Sequence, residues 1–402
     1  QEAQEASELI RQLSAPEPHA RAMAACELGR RSSTDVRRAL PDLIRLLGDD
    51  VPVEGRLCRD SRWQGRWEDS SPGREAAIAL EEAGSAAVEP VIEVLSDASP
   101  RRREHAAFAL GLLEDWRAVG VLGERVRDDE DAEVRARAAW ALGMIEHADG
   151  VAPLAEAIAD ADYRVREQAA WALGMIEHAD GVDPLVIALG DAEVEVREQA
   201  AWGLGMIESD RGINGLARAL GDADGRVREQ AAWALGMIES PRSVTGLARA
   251  LRDEEVEVRE QAAWALGMIE SRDATPALIE ALRDAEPDVR KQSAWALGMI
   301  EDGSAAEALV DALDDQDPEV RKQVLWALTM VMDDGHLEGV DPHELAEKLR
   351  RALRDGGSPG ATSGWPRGPA HVRMARVRLA SVAESGVALR IQSRDGVRIL
   401  RM

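Results

Sequence analysis

Lysine, phenylalanine, tyrosine and cysteine are all scarce in this chain. Only three of its 49 basic residues are lysine, and it has one Phe, one Tyr and two Cys. Acidic residues outnumber basic ones so strongly that the formal net charge is −26. This composition is typical of proteins kept soluble in concentrated salt, where charges are screened over about 3 Å at 1 M. It therefore favours a halophilic archaeal source, with a high-GC bacterium as the alternative.

Two other absences bear on the compartment. Cys26 and Cys58 are too few for a disulfide framework and are not spaced as metal ligands, so we expect a reducing interior. No apolar run approaches the roughly 18 residues that a membrane span needs, and the first residues are polar and acidic rather than signal-like. The sequence therefore predicts a cytoplasmic protein with no membrane partner.

What the chain does contain is an internal repeat. The phrase Ala-Trp-Ala-Leu-Gly-Met-Ile-Glu begins at Ala139 and returns in steps of 31 residues. Its tryptophans are Trp140, Trp171, Trp202, Trp233, Trp264, Trp295 and Trp326. Degenerate versions around Cys26, Ile78 and Phe108 bring the count to about ten units. A fixed period of this length is the signature of a solenoid, in which each unit must stack on its neighbours to bury its apolar face.

Residues 181–208 show the plan of one unit. The pattern predicts a short helix A at Pro184–Leu189, a turn, and a helix B at Val196–Ile207. Asp191 lies in the turn six residues before Arg197, and the same spacing recurs in later units. An acid in the turn and an arginine in the first turn of helix B are expected to pair within and between units, with a structural role.

The predicted fold is all-α, an α-solenoid (superhelix) of about ten two-helix repeats of 31 residues over residues 1–355. A last helix, Pro342 to Arg354, is expected to seal the final unit. Residues 356–370 form a Gly/Ser/Pro linker. Residues 371–402 form a basic tail, because the chain from 356 onward holds eight Arg against two acids. Its alternating pattern predicts a small β element, with disorder as the alternative.

An insertion at about 50–72 interrupts the second unit and combines arginine with tryptophan. Such residues hold phosphate or nucleic acid by charge and stacking, although a solvated loop laid against an acidic neighbour is the simpler alternative. We treat it as a secondary binding loop consisting of Arg56, Arg59, Arg62, Trp63, Arg66 and Trp67.

A helical wheel of helix B separates a packing stripe from a polar and aromatic one. Val165, Ala169 and Leu173 cluster on the side that faces the stack, whereas Trp171 and Met175 point away from it. Two interpretations stay open. The tryptophans seal one repeat against the next by covering its methionine, or they form an apolar stripe too large for a monomer, which implies a partner.

The pattern Val-Arg-x-x-Ala-Ala-x-Ala-Leu-Gly-x-Ile, matched at Val165 to Ile176, resembles the HEAT-like repeats of the phycobilisome-lyase type, over residues 3 to 333. The resemblance implies that helix B lines a concave face and that the x positions contact partners. These positions give the candidate partner-binding residues, which are the seven tryptophans above together with Met144, Met175, Met206, Met237, Met268, Met299, Glu167, Glu198, Glu229 and Glu260.

A glutamate one turn before a tryptophan suits arginine or lysine through ion pairing and cation–π contact. The predicted function is therefore a non-enzymatic scaffold, without cofactor, that binds a basic or amphipathic segment of a partner protein. We expect it to act in a regulatory or signalling assembly. The basic tail is a candidate occupant of the same face in cis.

Three alternatives remain. Resemblance to bilin lyases implies a lyase-like or enzyme-accessory role. Iron-binding hydroxylases also resemble this repeat, but they carry His-Glu where this chain has Glu167-Gln168, and its Glu104-His105 is reversed. His147 and His178 recur at the repeat period, yet loops about 10 Å apart cannot share one zinc ion. Nucleic acid is the least favoured partner, because carboxylates on the face would repel phosphates.

Overall fold

The computed structural model describes residues 2–54, 57, 69–331 and 347–348, together with three strands between residues 376 and 401. The chain forms two compact units, residues 1–212 and 213–402. Unit 1 contains α1 (Glu2–Gln12), α2 (Pro18–Gly29), α3 (Ser33–Leu46), β1 (Val53–Glu54), β2 (Asp69–Ser70), α4 (Pro72–Glu81), α5 (Ser85–Val94), α6 (Pro100–Leu113), α7 (Val119–Asp128), α8 (Ala132–Ile145), α9 (Val151–Ala157), α10 (Tyr163–Ile176), α11 (Val182–Ala188) and α12 (Val194–Ile207).

Unit 2 continues the same alternation of helices and ends in the strands. It contains α13 (Ile213–Ala219), α14 (Gly225–Ile238), α15 (Val244–Ala250), α16 (Val256–Ile269), α17 (Thr275–Ala281), α18 (Pro287–Ile300), α19 (Ala306–Ala312), α20 (Pro318–Val331), β3 (Arg376–Ala383), β4 (Gly386–Ser393) and β5 (Gly396–Arg401). Odd-numbered helices are the A helices of the repeats and even-numbered helices are the B helices. In the described part of the chain they form ten pairs, which confirms the predicted all-α solenoid of about ten repeats.

The B helices stack on one another and the A helices cover one side of them. In unit 1 the stack runs from α2 through α4, α6, α8 and α10 to α12, and in unit 2 from α14 through α16 and α18 to α20. Val165, Ala169 and Leu173 of α10 are fully buried, as the helical wheel predicts, and Leu185 of α11 is buried with them. Each repeat thus contributes a narrow stripe of small and branched side chains, which is why single repeats cannot fold alone.

An arginine–aspartate ladder connects successive repeats. The Arg166 guanidinium at the start of α10 donates two hydrogen bonds to the Asp191 carboxylate of the next repeat, at 2.6 and 2.8 Å. The same arginine donates to the backbone carbonyl of Asp160, six residues before it, at 2.9 Å. The predicted pairing within and between repeats is therefore present, with the backbone as the partner inside a repeat and the carboxylate as the partner between repeats.

The ladder recurs in both units. Further two-point side-chain pairs within the units include Arg103–Asp129, Arg135–Asp160, Arg228–Asp253, Arg259–Asp284 and Arg290–Asp315. Bidentate charge-assisted hydrogen bonds of this kind fix orientation as well as adding stability. Within each unit, the ladder therefore restrains the orientation of successive repeats.

Seven B helices end on a glutamate in the left-handed conformation. The φ angles lie between 49° and 53° at Glu114, Glu146, Glu177, Glu208, Glu239, Glu270 and Glu301. All seven side chains are exposed. Left-handed backbone at a helix end is ordinarily the place of glycine or asparagine.

Cys26 corrects an expectation from the sequence. Its side chain, on the buried face of α2, is disulfide-bonded, although two cysteines had predicted no disulfide framework. Because disulfides persist mainly in oxidising compartments, the argument for a reducing interior loses its basis.

Within the described residues, no helix combines the length and the apolar character needed to span a bilayer.

The tail contains an antiparallel sheet in the order β3–β4–β5. The register pairs Arg378 with Arg390, and Arg390 in turn with Ile399. On the alternate positions, Leu379 pairs with Leu389 and Leu389 with Leu400. The backbone register therefore sets Arg378 beside Arg390 and, at the next position, Leu379 beside Leu389. The predicted linker at 356–370 lies outside the described residues, as does the predicted helix at 342–354 apart from the helical Glu347 and Lys348.

Candidate functional site

The seven repeated tryptophans lie on the B helices and are all half-buried. Within each unit these tryptophans form a surface together with the methionine four residues after each and the residues three and four positions before each. We call this surface of each unit its Trp face. The repeated methionines of this face are half-buried as well. Each indole thus has one part packed in the stack and another part open to solvent.

In six of the seven repeats, within one unit or the other, the packed part of the indole lies against a glycine of the preceding repeat. A Cβ atom placed on Gly143 would lie 2.7 Å from Cζ3 of Trp171, and one on Gly236 would lie 2.6 Å from Cζ3 of Trp264. Separations this short exclude any side chain larger than hydrogen. The benzene edge of the indole therefore packs directly on the backbone of the neighbouring B helix, at a position where glycine has no side chain in the way. The sealing interpretation predicted that the indole covers methionine, whereas it covers glycine.

The same fit recurs along both units. Trp140 lies over Gly111 and Trp202 over Gly174 in unit 1, and in unit 2 Trp295 lies over Gly267 and Trp326 over Gly298. The tryptophans are therefore part of the contact between repeats. They also retain the exposed edge on which the binding interpretation depends, so the two interpretations are compatible.

The exposed edge carries hydrogen-bonding groups that have no partner within the described residues. After Trp140, no repeated tryptophan donates its indole N–H to a described side chain or backbone group. None of these indole N–H groups is a buried donor that lacks a partner. The same holds for the half-buried glutamines three residues before the tryptophans from Trp171 to Trp295, which are Gln168, Gln199, Gln230, Gln261 and Gln292. Each of these groups is therefore open to solvent.

In unit 2 a charged residue lies one helical turn before each indole. The position four residues before the tryptophan is Glu229 and Glu260 in the first two repeats of unit 2, then Lys291 and Lys322. Partial burial raises the pKa of Glu260, and Asp288 raises it further, while Lys291 opposes the shift. Lys291 forms an ion pair with Asp288 on its own helix. The acidic character of the Trp face in unit 2 is therefore concentrated in its first two repeats.

At the start of the chain the repeated pattern is replaced by a cluster of arginine and aromatic rings. The Phe108 and Trp140 rings lie 5.3 Å apart, and the Arg137 guanidinium is 5.2 Å from the Phe108 ring. The Arg74 guanidinium is 5.7 Å from the same ring. Burial lowers the pKa of Arg74, and the positive charge of Arg137 adds to that shift. Sequence reasoning missed this cluster, because its members share no motif.

The reversed hydroxylase-like pair, Glu104-His105, lies beside that cluster and makes structural contacts. The half-buried His105 donates from Nδ1 to the carbonyl of Leu47 at 2.6 Å. Glu104 pairs with Arg101 at 2.7 Å. Both residues therefore have partners in the fold that account for their positions.

The loop histidines also have local roles. His147 Nδ1 accepts a hydrogen bond from the backbone N–H of Asp149 at 3.3 Å, and His178 caps the next loop through Asp180 in the same way. The Trp116 ring, which is 65% exposed, stacks 6.5 Å from the His147 ring. Among the described residues, no group of three or more His, Cys, Asp or Glu could hold a metal ion.

The secondary binding loop falls outside the described residues. The residues of this loop are Arg56, Arg59, Arg62, Trp63, Arg66 and Trp67. The structure describes the two short strands that flank them, where Val53 pairs with Ser70 and Glu54 with Asp69. That loop therefore stays a prediction from the sequence.

The repeat geometry agrees with a comparison of the sequence with known families. The pattern of HEAT repeats matches residues 68–143, 119–195, 182–267 and 246–329. The chain belongs to the HEAT-repeat family. No curated protein matches it.

Solved structures of this HEAT protein's fold include importin beta and Kap95p. Importin beta is 15% identical, with a TM-score of 0.58, over 88% of this chain and 53% of that one. Kap95p, in a structure with RanGDP, is 15% identical, with a TM-score of 0.57, over 87% of this chain and 57% of that one. The CpcE–CpcF phycocyanin lyase of Nostoc sp. PCC7120 is 23% identical, with a TM-score of 0.37, over 61% of this chain and 94% of that one. At these identities the likeness concerns the fold alone.

Proposed function

We propose that this HEAT protein is a non-catalytic scaffold that holds a basic, amphipathic segment of a partner protein on its Trp face. The observation that carries the proposal is the half-buried indole that recurs in each of the last six repeats, with an open N–H and a glutamate or lysine one turn before it. Tryptophan offers a large apolar surface and a polar group together, which is why it is enriched at protein interfaces. A regulatory or signalling assembly is the context we favour.

Two further points support a protein partner. Importin beta and Kap95p share the fold, and Kap95p is described in complexes with RanGDP and with Nup1. The formal net charge of −26 favours positively charged partners and disfavours nucleic acid. The chain's own tail, with Arg376, Arg378 and Arg390 in its strands, is a candidate occupant of the Trp face in cis.

The test uses charge reversal rather than removal of tryptophan, because removing an indole would also open the contact with glycine in the preceding repeat. Glu229→Lys combined with Glu260→Lys places on two repeats the residue that the next two repeats already carry, so we expect the variant to fold. The probe is a labelled 15-residue peptide of repeating Arg-Ala-Leu, measured by fluorescence anisotropy in 0.5 M KCl. We expect its affinity to fall at least tenfold, about 1.4 kcal/mol.

The matched control is Asp273→Lys combined with Glu307→Lys, which changes the net charge equally at two exposed positions away from the Trp face. This control should bind the peptide as the unaltered chain does. Equal loss in both variants would mean that the peptide responds to net charge alone, and the proposal would then be wrong. Failure of the unaltered chain to bind the peptide would also contradict it.

A further inference from the structure

The open hydrogen-bonding groups of the Trp face recur in pairs, and this pairing narrows the chemistry of the ligand. In unit 2 each pair consists of a glutamine and the tryptophan three residues later. Positions three apart are neighbours on one helix face, so the glutamine and the tryptophan of a pair lie on the same face of the B helix. The pairs in the described part of unit 2 that are open to solvent are Gln230 with Trp233, Gln261 with Trp264 and Gln292 with Trp295.

These groups match a peptide main chain. An indole N–H donates one hydrogen bond, and a glutamine amide both donates and accepts. An α-helical ligand already pairs its interior backbone groups with one another, so it offers few of them to a receptor. An extended segment, by contrast, presents free N–H and C=O groups along its whole length. The pairs therefore favour an extended ligand over a helical one.

The spacing of the repeats agrees with an extended ligand. Packed helices lie about 8–10 Å apart, and the B helices approach closely, since a Cβ on Gly236 would lie 2.9 Å from Cα of Ala265. Three residues of extended or polyproline II chain span about 9–10 Å. One tripeptide of ligand thus corresponds to one repeat, and the same backbone group meets each successive pair.

Charge identifies the side chains that such a ligand would carry. Glu229 and Glu260 stand one turn before Trp233 and Trp264, and the charges of both Asp288 and Lys291 act on Glu260. A guanidinium or ammonium group next to these carboxylates would also reach the indole faces. In the following repeats the equivalent position is lysine, so the preference for basic residues belongs to the first two repeats of unit 2.

We infer that the Trp face of unit 2 binds an extended, arginine- or lysine-rich segment of a partner and reads its main chain at one tripeptide per repeat. This inference rests on the proposed function and narrows its ligand from a basic, amphipathic segment of any conformation to an extended one.

The test compares three 15-residue peptides with five arginines each. The first is Arg-Pro-Ala repeated five times, which adopts polyproline II; the second is the same peptide with the alanine nitrogens methylated; the third is an alanine-rich helix. Affinities are measured by fluorescence anisotropy with the full chain. We expect the first peptide to bind at least tenfold more tightly than the helix, and N-methylation to weaken it about fivefold or more.

A paired substitution links the effect to the glutamines. Gln230→Leu combined with Gln261→Leu keeps the side-chain size and helix propensity but removes the amides. It should weaken the unmethylated peptide severalfold and leave the methylated one unchanged, because the methylated peptide has already lost the N–H. Circular dichroism checks that the variant is folded.

The outcomes separate the two proposals. If the helical peptide binds as tightly as the extended one, and methylation has no effect, the extended-ligand inference is overturned while the scaffold proposal stands. If none of the peptides binds, or if binding survives Glu229→Lys with Glu260→Lys unchanged, the scaffold proposal itself is overturned.

Discussion

At the scale of single residues, the glutamates that end the B helices are the least expected feature. Left-handed backbone costs a residue with a side chain about 1–2 kcal/mol, and seven glutamates adopt it here. Glutamate at a helix C-terminus also opposes the helix dipole. Nothing in the sequence signals these conformations, because glutamate is a helix former and gives no indication that the helix ends with it.

Replacing one such residue by glycine should stabilise the protein. Glu270→Gly at the end of α16, where φ is 52°, removes the steric strain of the left-handed conformation. The greater freedom of glycine in the unfolded chain offsets part of that gain, so we expect about 0.5–1 kcal/mol. Urea-induced unfolding followed by circular dichroism measures the change.

The control belongs to the same helix. Gln261→Gly, in the middle of α16, should destabilise the protein by about 1 kcal/mol, because glycine is unfavourable inside a helix. A Glu270→Gly variant that is no more stable than the unaltered chain would show that the left-handed conformation is not strained.

At the scale of elements, the arginine–aspartate ladder is the connection most exposed to pH. Asp253 is 11% exposed and accepts from Arg228 at 2.8 Å and from the backbone N–H of Glu255 at 3.0 Å. Burial alone would raise the pKa of Asp253, but the Arg228 pair and the backbone donor outweigh it and hold the pKa below its ordinary value. Asp160, Asp191 and Asp315 share this direction for the same reasons.

The sign of the pH dependence follows from these lowered values. An unfolded aspartate has a pKa near 4, so the unfolded chain binds protons more readily than the folded one. The stabilisation is therefore fully present above pH ~4 and is lost as the pH falls through the lower folded pKa. We expect Asp253→Asn to cost about 2 kcal/mol at pH 7 and to reduce the loss of stability between pH 5 and pH 3.

Thermal unfolding at a series of pH values measures both effects. The control is Asp273→Asn, an exposed residue of the short 3₁₀ helix Arg272–Ala274 in the same unit, which should change stability by less than about 0.5 kcal/mol. An Asp253→Asn variant with an unaltered slope between pH 5 and pH 3 would contradict the assignment of acid sensitivity to the ladder.

At the scale of the whole molecule, the excess of acidic charge should make stability depend on salt. Repulsion among exposed carboxylates opposes folding, and it weakens as the screening length falls from about 10 Å at 0.1 M to about 3 Å at 1 M. We therefore expect Tm to rise with KCl concentration. This is also the behaviour that the predicted halophilic source requires.

A variant separates charge screening from other effects of salt. Converting the seven left-handed glutamates to glutamine keeps their size and backbone strain and changes the formal net charge from −26 to −19. Its Tm should rise less steeply with KCl than that of the unaltered chain. Parallel slopes for the two proteins would show that the salt effect does not come from these charges.

The sequence alone determined the helical pairs and their number. Residues 181–208 illustrate this: helix A was predicted at Pro184–Leu189 and is found at Val182–Ala188, and helix B was predicted at Val196–Ile207 and is found at Val194–Ile207. These elements could be predicted because apolar periodicity is local and because each repeat shows it again. The same holds for the ladder, whose acids and arginines keep a constant spacing.

Only the tertiary structure decided how the repeated residues are used. Whether an indole is covered or open depends on how closely the next helix approaches, and that distance is set by glycines such as Gly143 and Gly236. The left-handed backbone at Glu270 and the disulfide at Cys26 likewise depend on where the chain must turn and what it meets there. Periodicity specifies which side of a helix a residue lies on, whereas contact between helices specifies which of its atoms remain free to bind.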